Sequence, residues 1–339
     1  GAANALHPLP APLTSGHQYV AYIANRDRTG GTLRARLQDG ATNLETPSWG
    51  AEQNAIRNLV ANSAYDQFGF RSNSTAVCRV TDAQLYDIQP RLDGSLDIYI
   101  FAGQSNMVGA SGTTGFDLDQ VTLESRALYV PLSQNVTQGA ETDSSGPSIN
   151  ANLTDDEGIG KPIMARNPLF MATQNTAGLS PGQTIIETLC NDYPQANSGR
   201  HPIFLGAAAG GTDLFDVWNP ADDARYYDLM VANVNHYLGL NPGSRVAGLF
   251  WCQGESSVPA GYAALFNSIV DGLRASWGDF PVVIMEVSGV AGTADVDNMI
   301  AEQQKLATGS GDVDELARCA YVARPSGAAL EADNIHFSG

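Results

Sequence analysis

Basic residues are scarce in this chain: 18 lysines and arginines stand against 36 aspartates and glutamates, a formal net charge of -18 over 339 residues. Binding to a nucleic-acid backbone depends on Lys and Arg displacing counterions, so that class of partner is excluded. Cysteine is also sparse. Cys78, Cys190, Cys252 and Cys319 form no CxxC pair and no close grouping with histidine, which argues against a structural zinc site. Cys252 and Cys319 lie in apolar runs and read as buried thiols, and the sequence assigns no disulfide. His7, His17, His201 and His236 lack metal-ligand spacing, and His236 falls on a helix face where solvent or packing is its expected role. No apolar run approaches the roughly 20 residues of a membrane span, so no membrane contact is expected. The opening Gly-Ala-Ala-Asn has neither the basic nor the apolar region of a secretory signal, and it has no initiating Met, as in a processed product or a piece of a longer protein. Neither GxGxxG nor a Walker sequence is present, which weakens any phosphate-cradling reading.

What is present fits a globular chain with a true core: 43% of residues are hydrophobic and 16% charged. The length exceeds one small core, so two unequal domains are expected. From about residue 18 to residue 88 the text runs in short alternating segments, 17–24, 31–37, 55–60, 65–70 and 76–80, separated by Gly, Asn, Asp and Ser clusters. Strands at such spacing predict an antiparallel sandwich. Trp49 and the tyrosines there are able to stack on sugars, although an isolated aromatic more often serves the core or the plain surface.

After Pro90-Arg-Leu-Asp-Gly-Ser95 the period changes. Continuous apolar runs at 97–102, 202–207, 246–252, 281–287 and 319–323 suit strands covered on both faces, the condition of a parallel sheet. Between them lie helical patterns at 180–190, 222–240 and 262–277, the first opening on a Ser cap and an early Pro. Strand alternating with helix predicts right-handed βαβ units and an open five-stranded parallel sheet. The stretch 111–178, rich in Thr, Ser, Asp, Asn and Gly, reads as loops around a pocket mouth.

The first apolar run leads directly into Gly103-Gln-Ser-Asn-Met-Val-Gly109. A Ser placed just after a parallel strand and at the start of a helix sits where such sheets bind ligands, with backbone N–H groups aimed at incoming negative charge. Taken alone, Ser105 reads equally well as a helix cap. Three further motifs change the balance: Gly206-Ala-Ala-Ala-Gly-Gly-Thr-Asp213, Trp251-Cys-Gln-Gly-Glu-Ser256 and Asp333-Asn-Ile-His336. In this order, GQSN, GGT, WxQGE and DxxH resemble the SGNH hydrolases, within them the sialate O-acetylesterase-like group that includes the acetylxylan esterases of carbohydrate esterase family six. The resemblance covers roughly residues 95 to 339. The N-terminal quarter resembles, more loosely, the jelly-roll modules found beside enzymes and in phage tail or fibre proteins.

Ester cleavage needs a nucleophile activated by a base, and the resemblance implies Ser105 and His336 for these roles. Asp333, three residues before His336, can reach back to the imidazole and hold its tautomer. The resemblance also implies an oxyanion hole made by the Ser105 backbone N–H, an N–H from the Gly210-Gly211 turn, with Gly211 the preferred donor, and the Gln253 side-chain amide. Ordinary turn geometry explains Gly210 and Gly211 equally well. Glu255 is read as an auxiliary or structural acid, with the alternative that it orients His336 in place of Asp333. Trp251 is expected in the core. Gln253, where other SGNH enzymes carry Asn, favours carbohydrate esters over lipids. The chain stops three residues after His336, where a closing helix normally follows, so the last strand is expected to be thinly covered.

These readings predict an α/β protein: a three-layer α/β/α, flavodoxin-like SGNH parallel sheet at 94–339, preceded by a small antiparallel sandwich at 1–93. The expected activity is hydrolysis of acetyl esters on a polysaccharide or a sialic-acid-like sugar, without metal or cofactor. The acidic surface suits an extracellular or particle-associated setting, with self-association through the N-terminal module. The rival class is a glycan-binding or particle protein whose esterase domain is secondary or inactive; a lipase or thioesterase lacks an apolar groove signal. Asn73-Ser-Thr75, Asn135-Val-Thr137 and Asn152-Leu-Thr154 match glycosylation acceptors, a pattern common by chance.

Overall fold

A computed structural model describes residues 4–29, 33–40, 42–45, 54–72, 77–109, 123–131, 160–166, 180–192, 199–289, 294–325 and 330. The N-terminal part is antiparallel throughout. Strands β1 (Asn4–Pro8), β3 (Leu33–Asp39), β4 (Thr42–Glu45) and β6 (Gln67–Ser72) form one sheet in the order β1-β6-β3-β4. Strands β2 (Gln18–Thr29), β5 (Asn54–Val60) and β7 (Val77–Asp87) form a second, ordered β5-β2-β7. Each of the five expected segments is a strand; β1 and β4 were not foreseen.

The two-residue period of β2 explains how this part is held. Tyr19 and Ala21 point into a core shared with Leu59 of the neighbouring β5 and with Ala35, Leu37 and Phe68 of the facing sheet. Val20 and Tyr22, on the opposite side of the same strand, are buried instead in the large core of the α/β part, together with Ile88 and Leu92. The three-stranded sheet therefore has no free apolar face. Asn58 adds a polar tie, its Nδ2 donating to the Pro162 carbonyl over 2.8 Å.

A short helical turn, α1 (Gln89–Leu92), leads into the second part. Its strands are β8 (Ser95–Gly103), β9 (Leu123–Pro131), β10 (Ile163–Arg166), β11 (Arg200–Gly206), β12 (Arg245–Cys252), β13 (Val282–Met285) and β14 (Cys319–Val322). They lie in the order β10-β9-β11-β8-β12-β13-β14. All neighbours are parallel except β10 against β9. The helices are α2 (Ser105–Val108), α3 (Pro181–Asp192), α4 (Arg225–Leu240), α5 (Tyr262–Trp277) and α6 (Ala294–Lys305).

The sheet is larger than its apolar runs imply. The five expected strands are β8, β11, β12, β13 and β14, but β9 makes a sixth parallel strand and β10 an antiparallel edge. Both come from the stretch 111–178 read as loops, so that reading is corrected for 123–131 and 163–166. Ala127 to Val130 are fully buried or nearly so, but four apolar residues inside a Thr/Ser-rich stretch are too short a signal to separate a strand from a loop. The other missed element, α6, buries only Met299 and Gln303, too few apolar positions for a helical stripe.

Burial follows position in the sheet. Nearly every residue of the central strands β8 and β11 is buried, as continuous apolar runs require. β14 lies at the edge, and Ala320 and Val322 are exposed, the latter by 49%. At the amino end of β8, Asp97 is buried and receives two bonds from Arg245, at 2.8 and 3.3 Å, with Arg200 3.3 Å away. Cys190, Cys252 and Cys319 are buried free thiols. Among the described residues no helix is long and apolar enough to cross a membrane.

Candidate active site

The chain lays β8 first, builds β9 and β11 on one side of it, then crosses to build β12, β13 and β14 on the other. β8 is therefore the strand at which the winding reverses, and a crevice opens beyond the carboxyl ends of β11, β8 and β12. Three of the four motifs occupy those three ends: GQSN follows β8, GGT follows β11 and WxQGE closes β12.

Ser105 is set by tight backbone pairing. β8 and β12 remain paired to Gly103 opposite Cys252, and the Gln104 N–H then donates to the Cys252 carbonyl at 2.8 Å. Gly103 has a φ of 128°, and a Cβ there would lie 2.0 Å from the Cys252 oxygen, so only glycine fits. Gln104 is extended, Ser105 opens α2, and Gly109, at a φ of 83°, ends it after one turn. Ser105 is 6% exposed. As the first helical residue it offers a backbone N–H with no acceptor inside the helix.

The GGT loop is tied to the same place. Ala209 N–H donates to the Gly103 carbonyl at 3.0 Å, and the Thr212 hydroxyl donates to the Ala209 carbonyl at 2.9 Å while accepting from Trp218 Nε1 at 3.0 Å. Gly211 turns at a φ of 68°. From the third loop, Gln253 is wholly buried, with Nε2 3.0 Å from the Thr212 carbonyl, 2.6 Å from Ser257 Oγ and 3.3 Å from Gln104 Oε1. Three acceptors surround two hydrogens, so donation to a further oxygen requires release of the longest contact, that to Gln104. Behind it, the Gln253 carbonyl accepts from Tyr262 Oη and Gln303 Nε2, both at 2.9 Å.

Glu255 faces Asn106, the neighbour of Ser105. Its Oε1 accepts from Asn106 Nδ2 at 2.7 Å, from the Ser288 N–H at 3.0 Å and from the Ser288 hydroxyl at 2.8 Å. Asn106 Nδ2 also reaches Ser288 Oγ at 2.6 Å. The other oxygen, Oε2, is buried with no hydrogen-bond partner among the described residues. Trp251 is core, bonded to Tyr262 Oη at 2.9 Å and set edge-on against Trp218. The Cys252 thiol is pushed well above its ordinary pKa by burial, then by the nearby Glu255 charge, so it is no competing nucleophile.

Of the expected site residues, Ser105, Gly211, Gln253 and Glu255 converge on this crevice. Asp333 and His336 lie outside the described residues, as do Trp49 and the three glycosylation-type triplets. Sequence reasoning gave no role to Asn106, Asp213, Ser257 or Ser288. Asp213 directly follows the GGT motif and Ser257 lies two residues after WxQGE, a signal that was available; Ser288 has none beyond following a strand. A cavity of about 340 Å³ adjoins Asn106, between the start of α3 and the ends of β13 and β14, and Met285, Glu286 and Arg324 line it. Its size is within the roughly 300–1,000 Å³ of small-molecule pockets.

Among solved structures, a protein from Arabidopsis thaliana shares the fold with a TM-score of 0.50 and 19% identity, over 72% of this chain and 91% of that one. NanS matches with a TM-score of 0.48 and 14% identity, also over 72% and 91%. A carbohydrate esterase family 2 enzyme with a carbohydrate-binding domain, from Corynascus thermopiles (Myceliophthora fergusii), matches with a TM-score of 0.39 and 12% identity, over 99% and 93%. No curated protein matches. Residues 95–339, the α/β part, match the family described as carbohydrate esterase, sialic acid-specific acetylesterase, and the chain belongs to that family.

Proposed function

We propose that the chain removes O-acetyl groups from a carbohydrate, a polysaccharide or a sialic-acid-like sugar, through an acyl-enzyme on Ser105. The observation that carries this reading is the placement of Ser105 at the reversal point of the sheet, between two loops hydrogen-bonded to its own strand end. Family membership supports ester hydrolysis; the acetyl group and the residue roles are the finer part of the proposal.

The chemistry runs in two steps. Ser105 Oγ attacks the acetyl carbonyl carbon while His336 takes the hydroxyl proton, and the carbonyl electrons collect on oxygen. The oxyanion is met by the Ser105 and Gly211 N–H groups and by the Gln253 amide, which gives up its contact to Gln104. Collapse breaks the ester bond, and the sugar alcohol departs with the proton from His336. Water then attacks the acetyl-serine in the same manner, releasing acetate and restoring the hydroxyl. Asp333 orients His336, leaving Glu255 to hold Asn106. No metal or cofactor takes part. The jelly-roll kinship of the N-terminal sandwich, a division near residues 93/94, self-association through that sandwich and an extracellular or particle-associated setting belong to the same proposal.

The test is acetate release from p-nitrophenyl acetate and from acetylated polysaccharides. The intact chain should turn over both, and Ser105→Ala should lose at least about 10³-fold in kcat. Equal rates for parent and variant would refute it.

A further inference from the structure

We infer that Ser257 and Asp213 are positioning residues that fix the polarity of the Gln253 amide, an inference that rests on the esterase mechanism proposed above. The Ser257 hydroxyl has one hydrogen, and Asp213 Oδ1 lies 2.6 Å away. A carboxylate oxygen accepts and does not donate, so that hydrogen belongs to Asp213. One lone pair of Ser257 Oγ then receives the Leu214 N–H at 2.9 Å. The other faces Gln253 Nε2 at 2.6 Å.

A hydroxyl so engaged has no proton left for an amide oxygen, and Gln253 must present its nitrogen. The Thr212 carbonyl, 3.0 Å from the same nitrogen, demands the same orientation. Asp213 is itself held by its loop, since the Phe215 N–H donates to its Oδ1 at 3.1 Å. Asp213 and Ser257 thus strap the loop after β11 to the loop after β12 and keep the donor end of Gln253 in place. They also steady Gln104, which shares Gln253 Nε2 and receives the Ser256 N–H at 3.3 Å. Gln104 immediately precedes the nucleophile. Removing the strap leaves the amide nitrogen only the Thr212 carbonyl and the longer contact to Gln104. Replacing Asp213 by Ala removes the acceptor of the Ser257 hydroxyl and frees its proton to turn toward Gln253.

The test compares Ser257→Ala, Asp213→Ala and Ser257→Thr with the parent on an acetyl ester. Misplaced donors cost transition-state stabilisation more than substrate binding, so kcat should fall about 10²-fold in Ser257→Ala and Asp213→Ala, with KM little changed. Ser257→Thr, which keeps the hydroxyl, should recover most of the rate. The urea midpoint of Ser257→Thr should remain near that of the parent. Parent-like kcat in both disabling variants, while Ser105→Ala is inactive, would overturn this inference and leave the esterase reading intact. Failure of the Thr variant to recover the rate would also overturn it. Absence of Ser105-dependent turnover in the parent would remove the esterase reading and this inference with it.

Discussion

Replacement of Glu255 tests whether the acid braces the nucleophile's turn. In Glu255→Ala three hydrogen bonds to Oε1 vanish: that of Asn106 Nδ2 and two from Ser288. Asn106 keeps its contact to Ser288 Oγ, so its loss is partial. Ser288 is only 1% exposed, and its N–H and O–H both lose the Glu255 oxygen to which they donate. An orphaned buried donor costs about 1–3 kcal/mol, so the variant should lose roughly 2–4 kcal/mol once some water enters the vacated space. Glu255→Gln should cost only about 1 kcal/mol, because the amide oxygen still accepts and the oxygen it replaces already lacks a partner. Urea unfolding followed by tryptophan fluorescence reads the difference, since Trp218, Trp251 and Trp277 all belong to the α/β part. Acetyl-ester turnover should fall about 10–10²-fold in the Ala variant, as Asn106 carries Ser105 out of register, and much less in Gln. A loss below about 0.5 kcal/mol in Glu255→Ala would refute the brace on this scale. So would a Gln variant whose turnover falls as far as expected for Asp333→Asn, because Glu255 would then be acting on the histidine.

Two predictions separate stability from activity. Asp97→Asn should destabilise the fold by roughly 2–4 kcal/mol, because a buried carboxylate bonded to Arg245 and near Arg200 is removed, yet leave kcat unchanged, since Asp97 lies at the amino end of β8. Denaturant midpoint and ester turnover measured together check it. His201 has its pKa lowered by burial and then by the Arg91 charge, so the folded state binds its proton less readily than the unfolded chain. Its stabilising contribution is complete above the unfolded value near 6.5 and is lost as pH falls through that value toward the lower folded one. His201→Gln should therefore flatten the acid side of a stability–pH curve measured by thermal unfolding.

Much of the α/β part was legible because two-sided apolar runs and helical stripes are local signals. The helix expected at 262–277 is α5, and Ser180 does cap α3, with the Gly182 N–H donating to its hydroxyl at 3.1 Å. β9 stayed hidden because its apolar core is short and its neighbours are polar; only pairing with β11 makes it a strand. The motifs were legible as text, but their convergence was not. Sequence order places GQSN, GGT and WxQGE far apart, and it is the reversal of winding at β8 that brings them to adjacent strand ends.

The sequence by itself determined the kinds of residue available for chemistry, a serine after a buried strand and glycine-rich loops, because chemical identity and hydrophobic period are properties of the chain. Only the tertiary structure decided what each polar group does. Glu255 lies beside Asn106 and Ser288, and the Gln253 nitrogen lies between Thr212 and Ser257, because hydrogen bonds act over about 3 Å and partners separated by up to 182 positions meet only after the sheet assembles.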